Sequence, residues 1–154
     1  MNAVTVAVES PRNDGIAELL RAGEAFAESL YPAEENFILP LEALEQPGVT
    51  VFVARAGGRA LGMAALVRHG DDLELKRLFV HENARGRGVA GVLLDVLEDH
   101  AREGGAPVLR LETGTRSQAA IALYERRGYA RIPRFGEYVD SASSVCMALA
   151  LRDG

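Results

Sequence analysis

The sequence predicts a mixed α/β layer fold, with a central sheet of about six or seven strands flanked by about four helices. Three observations predict it. The turn Gly57-Gly58 joins two apolar runs, 49–56 and 59–68, as a hairpin that builds an antiparallel part. Stretches of helical periodicity separate the later apolar runs, which is the pattern of crossover helices. A length of 154 residues, 48% apolar and 25% charged, fits one domain over 1–154 with a real core.

Residues 3–8 read as the first strand. Asn13 or Asp14 can cap a helix whose stripe is Ile16, Leu19, Leu20, Phe26, Ala27 and Leu30, and Pro32 ends it. A short helical segment around Leu41–Leu44 stops at Pro47-Gly48. The hairpin follows, then a turn at Asp71-Asp72 and a strand over 73–80. The next helix runs to about Glu103 and buries Ala90, Leu93, Leu94, Leu97 and Ala101. Gly104-Gly105 ends it before a strand over 108–113. Residues 117–127 read as a helix with Gly128 as its left-handed cap, and Arg126 and Arg127 favour its C-terminal dipole end. Runs over 129–132 and 145–151 are the final strands.

Net charge is −5, which argues against binding a nucleic-acid backbone. A single cysteine, Cys146, excludes an intrachain disulfide and a cysteine-rich metal site. His69, His81 and His100 are scattered without ligand spacing, so no metal is expected. No basic leader with an apolar run and no long apolar span occurs, so a cytoplasmic protein off the membrane is the expectation.

The segment that carries chemistry is Arg85-Gly86-Arg87-Gly88-Val89-Ala90, a glycine turn opening a helix. Such a turn presents unpaired N–H groups at the positive end of a helix dipole and suits a phosphate or pyrophosphate. Glycines let the backbone approach the anion, and two arginines add forked donors. Through Gly91 the string also matches GxGxxG, with Glu112 about 20 residues on, as in a dinucleotide fingerprint. Its context does not fit. Five residues, His81 to Arg85, part the strand from the first glycine, and only 42 residues follow Glu112. A hairpin meander also precedes the loop instead of a mononucleotide half-domain. No Gly-Lys-Ser/Thr follows, so a P-loop is excluded.

The chain resembles the GNAT N-acetyltransferase superfamily over about residues 14–151. The loop matches the family's Arg/Gln-x-x-Gly-x-Gly/Ala pattern. Residues 117–129, Ser-Gln-Ala-Ala-Ile-Ala-Leu-Tyr-Glu-Arg-Arg-Gly-Tyr, resemble its Asn-x-x-Ala-x-x-Leu-Tyr-Glu-x-x-Gly-Phe/Tyr segment. Ser117 stands where many members have Asn, and Glu82 where Pro is common. The resemblance implies acetyl-CoA as co-substrate, held where the strands over 73–80 and 108–113 splay apart. Backbone at Leu78, Phe79 and Val80 would pair with the pantetheine arm. Gly86, Gly88, Val89, Ala90 and Gly91 would hold the pyrophosphate beside Arg85 and Arg87, and Ser117 and Tyr124 would touch the cofactor.

Tyr124 matches the family tyrosine near the sulfur, a general acid; a satisfied core tyrosine is the plainer alternative. Glu74 matches a carboxylate that in several branches deprotonates the amine. Glu112 is a second candidate, more simply structural. Cys146 reads as a core residue rather than a nucleophile. The resemblance implies that residues 30–37 and 135–144 wall the acceptor side. Tyr31, Glu34 and Tyr138, with Glu35, Glu137 and Asp140, could attract a cationic amine there. The resemblance implies a small-molecule or peptide amine as acceptor, and a monomer or homodimer. A module that binds acyl-CoA without catalysis is the alternative.

Overall fold

The computed structural model describes residues 3–152. Seven strands form one sheet in the order β1-β2-β3-β4-β5-β7-β6. These are β1 (Thr5–Val8), β2 (Val49–Ala56), β3 (Arg59–His69), β4 (Asp72–Val80), β5 (Val108–Gly114), β6 (Ala130–Ile132) and β7 (Ser144–Ala150). Only β4 and β5 pair in parallel; the other neighbours are antiparallel. A parallel pair needs a crossover, supplied here by helix α3 (Val89–Glu103). Helices α1 (Ile16–Leu30) and α2 (Leu41–Leu44) precede the hairpin, and α4 (Gln118–Arg126) follows β5.

The sheet carries a core on each face. Leu93, Leu94, Leu97 and Ala101 of α3 are fully buried with Phe52, Leu66, Leu75, Leu109 and Leu111. Each such leucine contributes roughly 1.5–3 kcal/mol of burial. On the other face Ile16, Leu19 and Leu20 of α1 pack with Leu44, Val51, Val53 and Met63. The expected stripes need three corrections. Val89, not Ala90, is the buried residue at the start of α3, and Ala90 is half-buried. Phe26 is exposed, and it leans on Phe79 instead of entering a core. The cap of α1 is Gly15 at φ +86°, not Asn13 or Asp14, so a left-handed glycine turns the chain into the helix.

Glu98 of α3 is buried, which its heptad neighbours do not announce. It accepts from Arg127 at 2.9 Å and from the Tyr129 hydroxyl at 2.8 Å. A buried carboxylate needs such partners. Arg127 therefore pins α4 to α3, beyond its expected role at the helix dipole.

Two irregularities position the site. Parallel pairing of β4 with β5 covers only Leu73–Leu75 against Leu109–Leu111, and the strands then diverge. In β4 an extra residue enters the ladder: Met63 pairs with Phe79, but Ala65 pairs with Lys76. At this bulge Arg77 takes φ +61°, the one non-glycine residue with positive φ among those described. Gly62, paired with Val80 just beyond the bulge, is packed so closely that a Cβ there would come within 2.9 Å of the Phe79 carbonyl oxygen.

Candidate active site

Where β4 and β5 part, a groove of about 630 Å³ opens between α1 and α4. Leu78, Phe79, Val80, Arg85, Ala90, Ser117, Tyr124, Glu74, Glu112 and Tyr138 all line it. At its end the chain turns through Gly86 at φ +79° and Gly88 at φ +74° into α3. Among the described residues the N–H groups of Gly86 to Gly91 donate to no protein oxygen. A Cβ at Gly86 or Gly88 would meet nothing within 4 Å, so the space over the loop is open. A cradle of free donors at a helix N-terminus fits a pyrophosphate. The two loop arginines diverge. Arg85 lies over the Phe26 ring, 5.3 Å from its centre, at the groove mouth. Arg87 faces a separate cavity with Asp14, Arg59 and His81.

Tyr124 reaches the groove from α4. The residue is 6% exposed, and its hydroxyl has no hydrogen-bond partner among the described residues. Burial, and then the nearby Glu112 charge, hold the phenol far above its ordinary value. It stays protonated and available as a donor.

Two carboxylates lie on adjacent strands. Glu74 is buried and fully engaged. Its Oε2 accepts from the Tyr138 hydroxyl at 2.5 Å, and its Oε1 lies 3.1 Å from His69 Nε2. Lys76 Nζ, 3.9 Å from Glu74, donates to the Tyr138 hydroxyl at 2.8 Å. Glu112 accepts from Ser144 through Oε2 alone. Burial raises its carboxyl above the usual carboxylate range, against the lowering effect of the Ser144 bond. Sequence reasoning favoured Glu74 as base; the geometry leaves Glu112 with the free oxygen. Cys146 is buried, and burial raises its thiol.

The expected acceptor residues divide. Tyr138 is 1% exposed and engages Glu74, between the rings of Phe37 and Phe135. Tyr31 is outside the groove lining. Its hydroxyl accepts from the Arg116 N–H at 2.8 Å and lies 3.1 Å from Ser117 Oγ, so it holds the turn between β5 and α4. That also engages Ser117. Glu34 is exposed, and Glu34, Glu35, Glu137 and Asp140 lie outside the groove. Its charged lining is instead Lys76, Arg77, Arg85 and Arg116 against Glu74 and Glu112. The Lys76-Arg77 doublet, which breaks the alternation of β4, was the available sequence signal.

The Tyr31 tuck makes a stability prediction. A Cβ at Gly114 would come to the Tyr31 hydroxyl and ring carbon well inside contact distance. The ring is held by two hydrogen bonds and is not free to yield. Gly114→Ala should lower stability by about 2–3 kcal/mol, the cost of overpacking, read by thermal or denaturant unfolding. An unchanged unfolding midpoint would mean that Tyr31 is free to swing out.

A split pair of parallel strands, an anion cradle and a donor-plus-carboxylate pair define a site for group transfer from a phosphate-bearing carrier. Residues 13–129 match the acetyltransferase (GNAT) family, and the chain belongs to that family. It is 38% identical over 149 residues to a protein named IAA acetyltransferase from Azospirillum brasilense, covering 96% of this chain and 97% of that one. A solved chain from Klebsiella pneumoniae, provisionally described as an acyl-CoA N-acyltransferase, superposes with a TM-score of 0.81 at 32% identity. The match covers 97% of this chain and 98% of that one. The PaiA N-acetyltransferase of Thermoplasma acidophilum, solved in complex with coenzyme A, shares the fold. Its TM-score is 0.78 at 16% identity, over 96% and 99% of the two chains. The family's acetyl donor is acetyl-CoA. No helix among the described residues is long and apolar enough to cross a membrane.

Proposed function

We propose that the protein moves acetyl from acetyl-CoA to a primary amine by direct attack in a ternary complex. The observation that carries this reading is the opening between β4 and β5, faced by the unpartnered Tyr124 hydroxyl and by Glu112. Backbone groups at Leu78 to Val80, released from β5 by the splay, receive the amide-bearing pantetheine arm as a strand would. The N–H groups of Gly86 to Gly91 and the Arg85 guanidinium receive the pyrophosphate. Arg87 adds positive charge on the far side of the loop.

Acetyl-CoA supplies an activated thioester. An alkyl amine is mostly protonated at neutral pH and must lose a proton before it attacks. Glu112 takes that proton through its free oxygen; its raised affinity for protons suits the task. Glu74 acts as a positioning residue, holding Tyr138 and, through it, Lys76. Tyr124 donates a hydrogen bond to the departing sulfur. A thiol is a stronger acid than the buried phenol (a cysteine thiol has a pKa of about 8.5, and burial holds Tyr124 far above a free phenol), so Tyr124 stabilises the thiolate without fully giving up its proton. A hydrogen bond to a charged group is worth about 1.5–3 kcal/mol. Tyr124→Phe should therefore lower kcat by about tenfold to a hundredfold. Acetyl-CoA affinity, read by calorimetry, should stay unchanged.

Direct attack is tested by intact-mass measurement of the protein held with acetyl-CoA alone. The expected result is no acetylated protein until an amine is added, when free thiol and an N-acetyl product form together. Stoichiometric acetyl-protein that an amine then discharges would contradict direct attack.

A further inference from the structure

The bulge in β4 does more than end the pairing with β5. Along an even strand, Lys76 and Arg77 would point to opposite faces. Here Lys76 meets Tyr138 and Glu74, while Arg77 reaches Glu24 of α1, on the same face. The extra residue thus sets two cations side by side in the groove wall.

The Arg77 side chain is 8% exposed and has one ion pair, from Nη2 to Glu24 at 3.2 Å. Its Nε is buried without any partner. Glu24 itself is 43% exposed, a weak counterion for a buried guanidinium. Burial pulls the Arg77 pKa down against the pull of Glu24. A guanidinium in this condition has donors to spare beyond its one ion pair, and its planar fork matches a carboxylate. Acetyl-CoA phosphates are accounted for at the loop by Arg85 and the free N–H groups. The same groove is lined by apolar side chains that include Leu20, Ala27, Leu30 and Phe37.

We propose that the acceptor amine also carries a carboxylate, bound by Arg77 and Lys76, and that its class is an amino acid with an apolar side chain. This inference rests on the acetyl-transfer reading. It disfavours polyamines, which would bring a second cation to a wall that already holds two.

The test uses matched pairs: phenylalanine with 2-phenylethylamine, leucine with 3-methylbutylamine, and methionine with 3-(methylthio)propylamine. Thiol release from acetyl-CoA is followed for the wild type, Arg77→Asn and Glu24→Gln. Asparagine tolerates the positive φ at position 77, so the bulge is kept. Each variant is compared with the wild type on the same amine, which cancels differences in amine basicity.

The expected result is acetylation of the amino acids. Arg77→Asn should lower kcat/KM for them at least about tenfold, through KM, and change the decarboxylated amines less than about twofold, roughly the worth of a charge-assisted hydrogen bond. Glu24→Gln frees the guanidinium and should lower KM for the amino acids only. Should Arg77→Asn fail to fold, this exposed substitution decides the matter alone. Equal losses for both members of each pair overturn the proposal. So does an unchanged KM in Glu24→Gln, or absence of turnover with every amino acid tested. A calorimetric titration of the wild type with acetyl-CoA separates the two readings: no heat of binding would sink acetyl transfer itself.

Discussion

Gly88→Glu should abolish detectable acetyl-CoA binding in a calorimetric titration. Two effects act together. Gly88 sits at φ +74°, where a side chain costs about 1–2 kcal/mol of backbone strain. The new carboxylate would stand in open space over the N–H groups of the loop, where a phosphate is expected. Like charges brought together cost several kcal/mol. That repulsion corresponds to a loss in affinity of about a thousandfold or more. Gly88→Ala separates the terms, since it carries the strain without the charge: it should lose about 1–2 kcal/mol of stability and less than about tenfold in affinity. Stability of Gly88→Glu should fall only by that backbone strain, about 1–2 kcal/mol, because a Cβ at this position meets no protein atom within 4 Å. Retained affinity in a folded Gly88→Glu would mean that the anion lies elsewhere.

Glu112→Gln should lower kcat by about a hundredfold to ten-thousandfold, the usual worth of a general base. The variant is isosteric, and its amide oxygen can still accept from Ser144. The acid limb of the wild-type pH–rate profile should report a group above the ordinary carboxylate value of 4.5 and should vanish in the variant. Stability gives an independent reading with a fixed sign. The native carboxyl has a raised pKa, so between 4.5 and that higher value the native state binds more protons than the unfolded chain. Glu112 therefore contributes stability below about 4.5, and that contribution is lost as pH rises through the native pKa. Glu112→Gln should be more stable than the wild type at neutral pH, with the gap closing in acid. A variant with full activity and an unaltered acid limb would return the base to Glu74.

Much of the fold was legible. Strand limits read from alternation and turn glycines fall within a residue or two of those observed, because the two-residue period and the hairpin at Gly57-Gly58 are local signals. The entry to α1 was misread because Gly15 turns the chain by a left-handed backbone while polar residues nearby look like caps. In the site, the glycine loop and Tyr124 were legible as contiguous motifs. What the sequence could not show depends on distant partners. Tyr31 lies far from Arg116 and Ser117 in sequence, yet its hydroxyl belongs to their turn. Alternation puts Glu74 and Glu112 on a common face, but only the fold shows that His69 and Tyr138 occupy one of them. The acidic loop residues looked like an acceptor site by composition, whereas the groove wall is lined by Lys76, Arg77 and Arg116.

The central claim is acetyl transfer to an amine, and thiol release from acetyl-CoA tests it most directly. The purified protein would be assayed with and without a panel of primary amines, amino acids included, with the amine product identified by mass. The account predicts thiol release that depends on an amine, an N-acetyl product in equal amount, and a large loss of both in Glu112→Gln. Tight binding of acetyl-CoA with no amine-dependent thiol release across the panel would contradict it, and would make the chain a binding module on the same fold.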